Sequence, residues 1–158
     1  MPQLDGHLFG PGQPCFGCSP DHPIGFHLQF RVEEGDVVVT DFTPGEQYQG
    51  PPGIMHGGLV STLADEIAAW AIIGMRGKFG FTAQMTCKFA KPVRIGIPLV
   101  GKSKITRETS RTMQVECTVD QAGERCFTGD FTFVILDRAA TEKMLGRELP
   151  ESWAKFAR

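Results

Sequence analysis

The sequence predicts an α+β domain in which an antiparallel sheet of five to six strands wraps around one long central helix. Two observations carry this prediction. Apolar residues occupy nearly every side of the segment from residue 57 to about residue 75, as expected for a helix that is buried on most of its surface. The segments on either side alternate apolar and polar residues, which is typical of half-buried strands. Because the concave face of an antiparallel sheet covers such a helix, this order favours one sheet around one helix.

Length and charge limit the function. With 158 residues and a formal net charge of −2, the chain fits a single globular domain with a sizeable core. The nearly balanced charge argues against nucleic-acid binding, which requires a basic surface. No charge-free apolar run reaches about 18 residues, and no basic segment precedes an apolar one at the N-terminus, so we expect a cytoplasmic protein without a membrane contact. The odd number of cysteines, 5, favours a reducing environment.

The N-terminal part begins with an irregular leader, residues 1–23, which is rich in Gly and Pro and contains a CxxC motif. The domain itself is predicted to span residues 24–138. Alternating segments at 24–32 and 37–42 predict two strands joined by the turn EEGD. The stretch TPGEQYQGPPGIM then predicts a loop before the helix, and the glycines of GMRGKFG predict where the helix ends.

About four strands are expected after the helix, in a meander. The first two cover residues 81–89 and about 99–107, and a third, near 113–119, alternates apolar and polar side chains. Four apolar side chains share one face of the last strand: Phe127, Phe131, Phe133 and Ile135. A short helix near residues 139–145 and a tail make up the C-terminal part, residues 139–158.

The start of the helix lacks a good side-chain cap. His56 and Gly57 do not match Ser, Thr, Asp or Asn in accepting hydrogen bonds from the first backbone amides, so these amides are predicted to stay available. Glycine at 57 and 58 lets a ligand oxygen approach the backbone, and the positive end of the helix dipole favours negative charge there. In the alternative interpretation, the glycines only permit close packing and Ser61 caps the helix.

An acid follows deep inside the helix. Asp65 lies two turns beyond Gly58 and faces nearly the same side. A carboxylate among apolar residues is energetically costly unless it has a partner or a function. In the alternative interpretation, Asp65 or Glu66 faces a polar groove or a subunit contact. At about 1.5 Å per residue, Asp65 is roughly 10 Å from Gly58 along the axis. One reacting group cannot contact both, so a joint site requires a second, antiparallel copy of the helix in a two-fold dimer.

Three motifs point to a known family. HGGLVSTLADE, preceded by YQGPPGIM, opens the predicted helix; FTAQMTCKFAKPV fits a strand of the form T-A-x-L-x-I-x-Y-x-x-P; and CFGCSPDHPIGFHLQF is similar to an opening CFxCGPxNPxGL. In all three motifs the chain resembles the hotdog-fold acyl-CoA thioesterases of the phenylacetate-degradation type. The motifs cover residues 15–93, and the later strands follow in the expected order.

The resemblance implies hydrolysis of an acyl-CoA thioester without a Ser or Cys triad and without a cofactor. In this family the carboxylate at the position of Asp65 acts as general base or nucleophile, and a hydroxyl at the position of Thr82 helps to hold the water. The amides of the HGG turn, at Gly57 and Gly58, polarise the thioester carbonyl. His56 either orients the turn or the carbonyl, or only closes the loop by a hydrogen bond. Family sites lie across a dimer interface, so a homodimer or a dimer of dimers is expected.

Further polar residues are expected to contact the substrate. Several relatives carry Asn shortly before HGG to bind the thioester oxygen, and here Gln47 or Gln49 takes that place. Glu66 points about 100° away from Asp65 around the helix and is the reserve candidate for the acid role. Gln84, on the first strand after the helix, is also assigned to substrate binding.

The CxxC motif allows a second kind of site. Cys15 and Cys18, with His7, His22 and His27 nearby, offer ligand types that zinc accepts in tetrahedral sites. A second closely spaced pair is missing, and relatives commonly keep this opening as part of the fold. We therefore expect ordinary packing and no metal.

Two other functions compete with thioester hydrolysis. A hydratase or dehydratase with the same fold is the alternative among enzymes, and a non-catalytic acyl-CoA or lipid binder is the alternative outside them. Substitution of Asp65 by Asn distinguishes a thioesterase from a binder: a thioesterase should lose turnover and keep its substrate affinity, whereas a binder has no turnover to lose.

Overall fold

The structure is a computed structural model that describes residues 4–157. The outer parts of the predicted leader and tail, residues 1–3 and 158, lie outside the described residues. The strands are β1 Leu4–Asp5, β2 Gln29–Glu33, β3 Val37–Phe42, β4 Phe81–Phe89, β5 Leu99–Glu108, β6 Thr112–Gln121 and β7 Glu124–Val134. The α-helices are α1 Gly57–Arg76, α2 Arg138–Leu145 and α3 Glu151–Ala154.

All described strands form one antiparallel sheet in the order β1-β2-β3-β5-β6-β7-β4. The sheet curls around α1, which contacts β3, β4, β5, β6 and β7. The predicted fold class is therefore confirmed, with seven strands in place of five to six. The additional strand, β1, has only 2 residues and lies in the leader, where so short an element leaves no periodic pattern in the sequence.

The helix α1 is enclosed because its apolar residues cover most of its circumference. The side chains of Leu63, Ile67 and Trp70 are fully buried. By length and composition α1 resembles a membrane span, but in this fold the sheet covers it, as happens with core helices. It ends where Gly77 adopts a left-handed conformation with φ 61° and donates its N–H to the carbonyl of Ile73, as the glycines of the loop predicted.

Helix and sheet approach each other most closely at β5. A Cβ at Gly101 would lie 2.4 Å from Cδ1 of Ile67, so only glycine fits there without displacing the helix side chain. Two residues further along β5, the buried hydroxyl of Ser103 donates a 2.7 Å hydrogen bond to the carbonyl of Ile67. These two contacts fix the distance and the axial position of α1 on the sheet.

The strand predicted at residues 24–32 is shorter than expected. Its first half leaves the sheet at His27, which has φ 54°, a left-handed conformation that interrupts an extended strand. The amides of Phe26 and Leu28 donate to the carbonyls of Phe16 and Gly17 in the leader. This half of the segment therefore packs against the leader, and the regular strand begins only at Gln29.

The leader and the C-terminal segment close the same end of the molecule. Phe9 packs against Trp153 and Phe156, with ring centroids 4.1 and 4.9 Å away, and against Trp70 of α1 at 6.0 Å. Ser152 adds a 2.8 Å hydrogen bond to the carbonyl of Phe9. The short helix α3, which the sequence did not predict, holds Ser152 and Trp153 in these contacts.

The strand β4 forms one edge of the sheet. It pairs with β7, so the four later strands are not the simple meander that their sequence order predicted. Among the described residues its other edge has no partner strand, and Met85 and Phe89 are 41% and 52% exposed. A shift in register between Thr82 and Gln84 adds one residue, Ala83, to β4 relative to β7.

The contact at Gly101 can be tested by a double-mutant cycle. We expect Gly101→Ala to lower the free energy of unfolding by about 1–3 kcal/mol, because the new methyl group overlaps Cδ1 of Ile67. In an Ile67→Val background, which lacks that atom, the same change costs less. Urea unfolding at matched protein concentration measures both values. An equal loss in the two backgrounds would contradict the packing described above.

Candidate active site

The predicted acid and hydroxyl meet at one point. Asp65 projects from the middle of α1, and Thr82 lies at the start of β4, 17 residues later in the chain. The Thr82 hydroxyl donates a 2.7 Å hydrogen bond to Oδ1 of Asp65. Among the described residues no other hydrogen bond to Asp65 is present, so Oδ2 is available to a water molecule or a ligand.

The surroundings of Asp65 favour its protonated form. Burial raises the pKa of this carboxyl group above its ordinary value, and the hydrogen bond from Thr82 opposes the rise. A carboxylate with a raised pKa is a stronger base than an ordinary aspartate. The site therefore has the properties needed to accept a proton from a bound water molecule.

A cavity of about 630 Å³ opens beside this pair. Asp65, Glu66 and Thr82 are among the polar residues that line it. Much of the remaining wall is apolar and includes Phe9, Ile73, Phe79, Phe81, Phe133 and Trp153. The leader, α1, β4 and the C-terminal segment each supply part of the wall, and the cavity suits an elongated apolar group that carries a polar end.

The entrance of α1 differs from the prediction. His56 does cap the helix: its Nδ1 accepts a 3.0 Å hydrogen bond from the amide of Gly58, which leaves the ring proton on Nε2. The prediction of a free amide is therefore wrong for Gly58 in this chain. Ser61 is not the cap either, since its hydroxyl donates to the carbonyl of Gly57.

The amide of Gly57 remains available. It makes no hydrogen bond within residues 4–157, and it lies at the positive end of the helix dipole. A Cβ at this position would meet only Cε1 of Phe89, at 3.8 Å, so the backbone here is open to a ligand. Of the two predicted amide donors, Gly57 is the one that the structure keeps free.

The acid and the free amide of one chain do not form a common site. Gly57 precedes Asp65 by eight residues, about 12 Å along the helix axis. His56, Gly57 and Gly58 do not line the cavity that contains Asp65. Each chain therefore presents the two features on separate parts of its surface.

The three glutamines assigned to substrate binding lie away from the cavity. Gln49 is engaged in its own loop, where Oε1 accepts from the amide of Gly53 at 2.7 Å and Nε2 donates to the carbonyl of Glu46. Gln47 is exposed and folds back over Gly45. Neither side chain approaches the described cavity.

Gln84 faces the opposite side of the sheet from Thr82. In a regular strand the two would share a face, but the extra residue in β4 reverses the alternation. Gln84 lies opposite Thr132 and lines an outer groove that also contains Thr86 and Asp130. The sequence gives no sign of the bulge, since Ala83 is an ordinary strand residue in the predicted pattern.

Glu66 has partners that the sequence did not suggest. Its Oε1 accepts hydrogen bonds from Nε1 of Trp70 at 3.0 Å and from the Cys15 thiol at 3.4 Å. Burial raises the pKa of this carboxyl group, while hydrogen bonds from Cys18, Trp70 and Cys15 lower it. Nothing in the sequence links a glutamate in the helix to cysteines about fifty residues earlier, so this contact was missed.

The histidines predicted as alternative metal ligands do not join the cysteines. His27 donates from Nε2 to the carbonyl of His22, and the His22 ring packs edge-on against Phe16. His7 bonds to Asp5 through Nδ1 at 2.8 Å. The group that joins Cys15 and Cys18 is Glu66, whose ligand oxygen lies within 4.8 Å of both sulfur atoms.

Comparison with known proteins places these features in context. The model of the thioesterase superfamily matches residues 52–128, which include α1 and β4. An acyl-coenzyme A thioesterase THEM4 from Xenopus laevis is 28% identical over 97 residues, which are 61% of this chain and 43% of that protein. THEM4 from Rattus norvegicus is 28% identical over 125 residues, 77% of this chain and 54% of that protein. The chain thus spans about half the length of these curated relatives.

Solved structures show the same architecture. A thioesterase superfamily protein is 27% identical with a TM-score of 0.68, over 73% of this chain and 57% of that one. A phenylacetic acid degradation-related protein from Ralstonia eutropha is 18% identical with a TM-score of 0.66, over 82% of this chain and 97% of that one. Over residues 52–128 in sequence, and in its fold, the chain is therefore similar to proteins of the thioesterase superfamily.

Proposed function

We propose that this chain hydrolyses acyl-CoA thioesters, with Asp65 as the group that activates water. The observation that carries the proposal is the hydrogen bond of 2.7 Å between Thr82 and Asp65, in the lining of a largely apolar cavity. The apolar wall suits an acyl group, and Asp65 suits the reacting end. The similarity to curated acyl-coenzyme A thioesterases supports the same substrate class.

The proposed site is shared by two subunits of a homodimer. The two ends of β4 lie beside different features, since Thr82 bonds to Asp65 and Phe89 lies next to Gly57. If two β4 edges pair antiparallel about a two-fold axis, the Phe89 end of one copy lies beside the Thr82 end of the other. This arrangement brings the free amide of one subunit toward the acid of its partner and covers the exposed edge of β4.

The proposed chemistry follows from these positions. Water held by Oδ2 of Asp65 attacks the thioester carbonyl carbon, and Asp65 accepts its proton. The amide of Gly57 of the partner subunit donates to the carbonyl oxygen as negative charge develops there. The tetrahedral intermediate then expels the CoA thiolate, which takes up the proton from Asp65, and the free acid leaves. His56 acts indirectly, because its bond to Gly58 fixes the turn that presents Gly57.

A second route uses Asp65 as the nucleophile. Its carboxylate attacks the carbonyl carbon, CoA leaves, and water then attacks the Asp65 carbonyl carbon of the resulting anhydride, which releases the free acid. Single turnover in ¹⁸O-labelled water with enzyme in excess distinguishes the routes. Label in the carboxyl group of Asp65 supports the nucleophile, whereas label in the product acid alone supports the general base.

We further propose a reducing compartment, such as the cytoplasm, for this protein. Its five cysteines, Cys15, Cys18, Cys87, Cys117 and Cys126, all carry free thiols. Free and partly accessible thiols persist where the surroundings are reducing.

The role of Asp65 is tested by Asp65→Asn. We expect kcat for acyl-CoA hydrolysis to fall by about 100- to 10,000-fold, because the amide cannot accept the proton, while substrate affinity is retained. Thiol release from short, long and aromatic acyl-CoAs measures turnover. Asp130→Asn, an exposed acid on the outer face of β7, is the matched control and should keep full activity. Absence of release from every substrate by the unmodified protein, or hydration of an enoyl-CoA instead, would contradict the proposal.

The pH profile tests the environment of Asp65. We expect kcat/KM to rise with pH through the raised pKa of Asp65, because the base acts in its ionised form. Thr82→Val removes the hydrogen bond that favours the carboxylate, so the pKa of Asp65 rises further and the acid limb moves to higher pH. Thr86→Val on the outer face is the control and should leave the limb in place.

The raised pKa of Asp65 also predicts how the free energy of unfolding changes with pH. Because the folded state raises the pKa of Asp65, protonation of this group stabilises the fold below the unfolded pKa. That contribution is lost as the pH rises through the folded pKa. The side chain of Asp65→Asn stays neutral at every pH, so the free energy of unfolding of this variant should not fall in that pH range. Urea unfolding of the variant and the unmodified chain at a series of pH values measures the difference in the free energy of unfolding. An unchanged pH dependence would contradict burial as the cause of the shift.

The shared site is tested by Gly57→Pro. Proline removes the amide donor but is favoured at the first helical position, and His56 already has the extended backbone that proline requires before it. We expect a loss in kcat of about 100- to 1,000-fold with little change in stability. Gly57→Ala keeps the amide and serves as the control, since its Cβ makes only an ordinary contact.

Mixed dimers then test whether Asp65 and the Gly57 amide of one site come from different subunits. When Asp65→Asn and Gly57→Pro chains are coexpressed in equal amounts, half of the dimers contain one chain of each kind. Each mixed dimer has one intact site of two, so activity should recover to about one quarter of the unmodified value. If the mixture stays as inactive as its parents, the two features do not act across subunits.

A further inference from the structure

The leader and α1 bring together three groups that bind metal ions. The Sγ atoms of Cys15 and Cys18 and a carboxylate oxygen of Glu66 all lie within 4.8 Å of one another. Gly17 makes this approach possible, because a Cβ at that position would lie 2.4 Å from Cγ of Glu66. The leader therefore passes over Glu66 at a distance that only glycine permits, and it places a cysteine on each side of that passage.

Each of the three groups is also held by a neighbouring donor. The amide of Cys18 donates to Sγ of Cys15 at 3.3 Å, and Nε2 of Gln13 lies 3.7 Å from Sγ of Cys18. Nε1 of Trp70 donates to Oε1 of Glu66 at 3.0 Å. N–H donors of this kind stabilise negative charge on sulfur and orient the carboxylate, as the outer partners of metal ligands do.

The three groups lack a compensating cation. Among the described residues, no Lys, Arg or His forms an ion pair with Glu66 or lies in the cluster. The next residue along α1, Asp65, adds a further acid. A divalent cation would compensate the negative charge of all three groups once the thiols have lost their protons.

We propose that Cys15, Cys18 and Glu66 bind one zinc ion. Two sulfur ligands and one carboxylate form a ligand set that zinc accepts, and hard cations such as Mg²⁺ or Ca²⁺ avoid sulfur. In a tetrahedral zinc site with Zn–S near 2.3 Å, ligand atoms lie about 3.3 to 3.8 Å apart. The distance of 3.4 Å between Sγ of Cys15 and Oε1 of Glu66 already matches this range.

Zinc binding here is balanced by the release of protons. Two thiols lose their protons to solvent, two Zn–S bonds and one Zn–O bond form, and no electrons are transferred. All three ligands line the large cavity, so a water molecule from the cavity would complete the four-coordinate shell of the ion. The ion would join the leader to the middle of α1. The inference does not depend on thioester hydrolysis.

Titration of the reduced, full-length protein tests the site. Protein freed of metal by a chelator is titrated with Zn²⁺, and elemental analysis and proton release are measured in weak buffer. We expect one ion per chain and two protons per ion, with an affinity that rises with pH. Co²⁺ in place of Zn²⁺ should give a thiolate charge-transfer absorption.

Variants identify the ligands. Cys15→Ser, Cys18→Ser and Glu66→Gln should each weaken binding by more than about 100-fold, since loss of an outer partner alone costs about 10–100-fold. Cys87→Ser, a half-buried cysteine of β4 outside the cluster, should bind like the unmodified chain. Glu66→Gln keeps the size of the side chain, so it tests the site even if a serine variant folds poorly.

Three results would overturn the inference: no stoichiometric Zn²⁺ binding under reducing conditions, binding that Glu66→Gln and Cys15→Ser leave unchanged, or a Cys15–Cys18 disulfide that persists in the presence of reductant. None of these outcomes bears on acyl-CoA turnover, which is measured separately with Asp65→Asn. A failure of the zinc site and a failure of the proposed hydrolysis are therefore distinguishable.

Discussion

Enclosure of α1 by the sheet determines most of what this molecule can do. A helix that is covered on nearly all sides has few positions where a charge is tolerable, yet α1 carries two adjacent carboxylates at Asp65 and Glu66. Because neighbouring residues diverge by about 100° around a helix, the two acids enter different surroundings. Asp65 meets a hydroxyl of β4, and Glu66 meets the indole of α1 and the cysteines of the leader. The same physical requirement, a partner for buried charge, is thus met in two chemically distinct ways.

The segments outside the central sheet take part in the site as well. The leader and the C-terminal segment pack on each other through Phe9, Trp153 and Phe156, and together they wall the cavity that contains Asp65. Their aromatic contacts join two segments that contain only short elements of regular structure. A sheet that curls around one helix leaves an open end, and in this chain the two terminal segments close it.

The sequence predicts those features that depend on local patterns. Periodicity located α1 to within one or two residues, because an all-round apolar helix leaves a long and regular signal. The proximity of Thr82 to Asp65 came from family resemblance, since no local pattern relates a strand residue to a helix residue. A backbone hydrogen bond of His56 was one of two predicted roles, but its function as a helix cap was not predicted, because it depends on one ring orientation. The turn of Gln84 to the outer face was not predicted, because it depends on one inserted residue. The contact between Cys15 and Glu66 is a product of the tertiary fold alone.

The proximity of Phe89 to Gly57 has a consequence for the behaviour of the protein in dilute solution. The free amide therefore lies at the opposite end of β4 from Thr82, and one chain presents the two features at separate places. On the proposed mechanism, specific activity is then a function of protein concentration, and it declines where dilution separates the subunits. On the same proposal, any partner or modification that covers the edge of β4 would abolish hydrolysis without touching a reacting group.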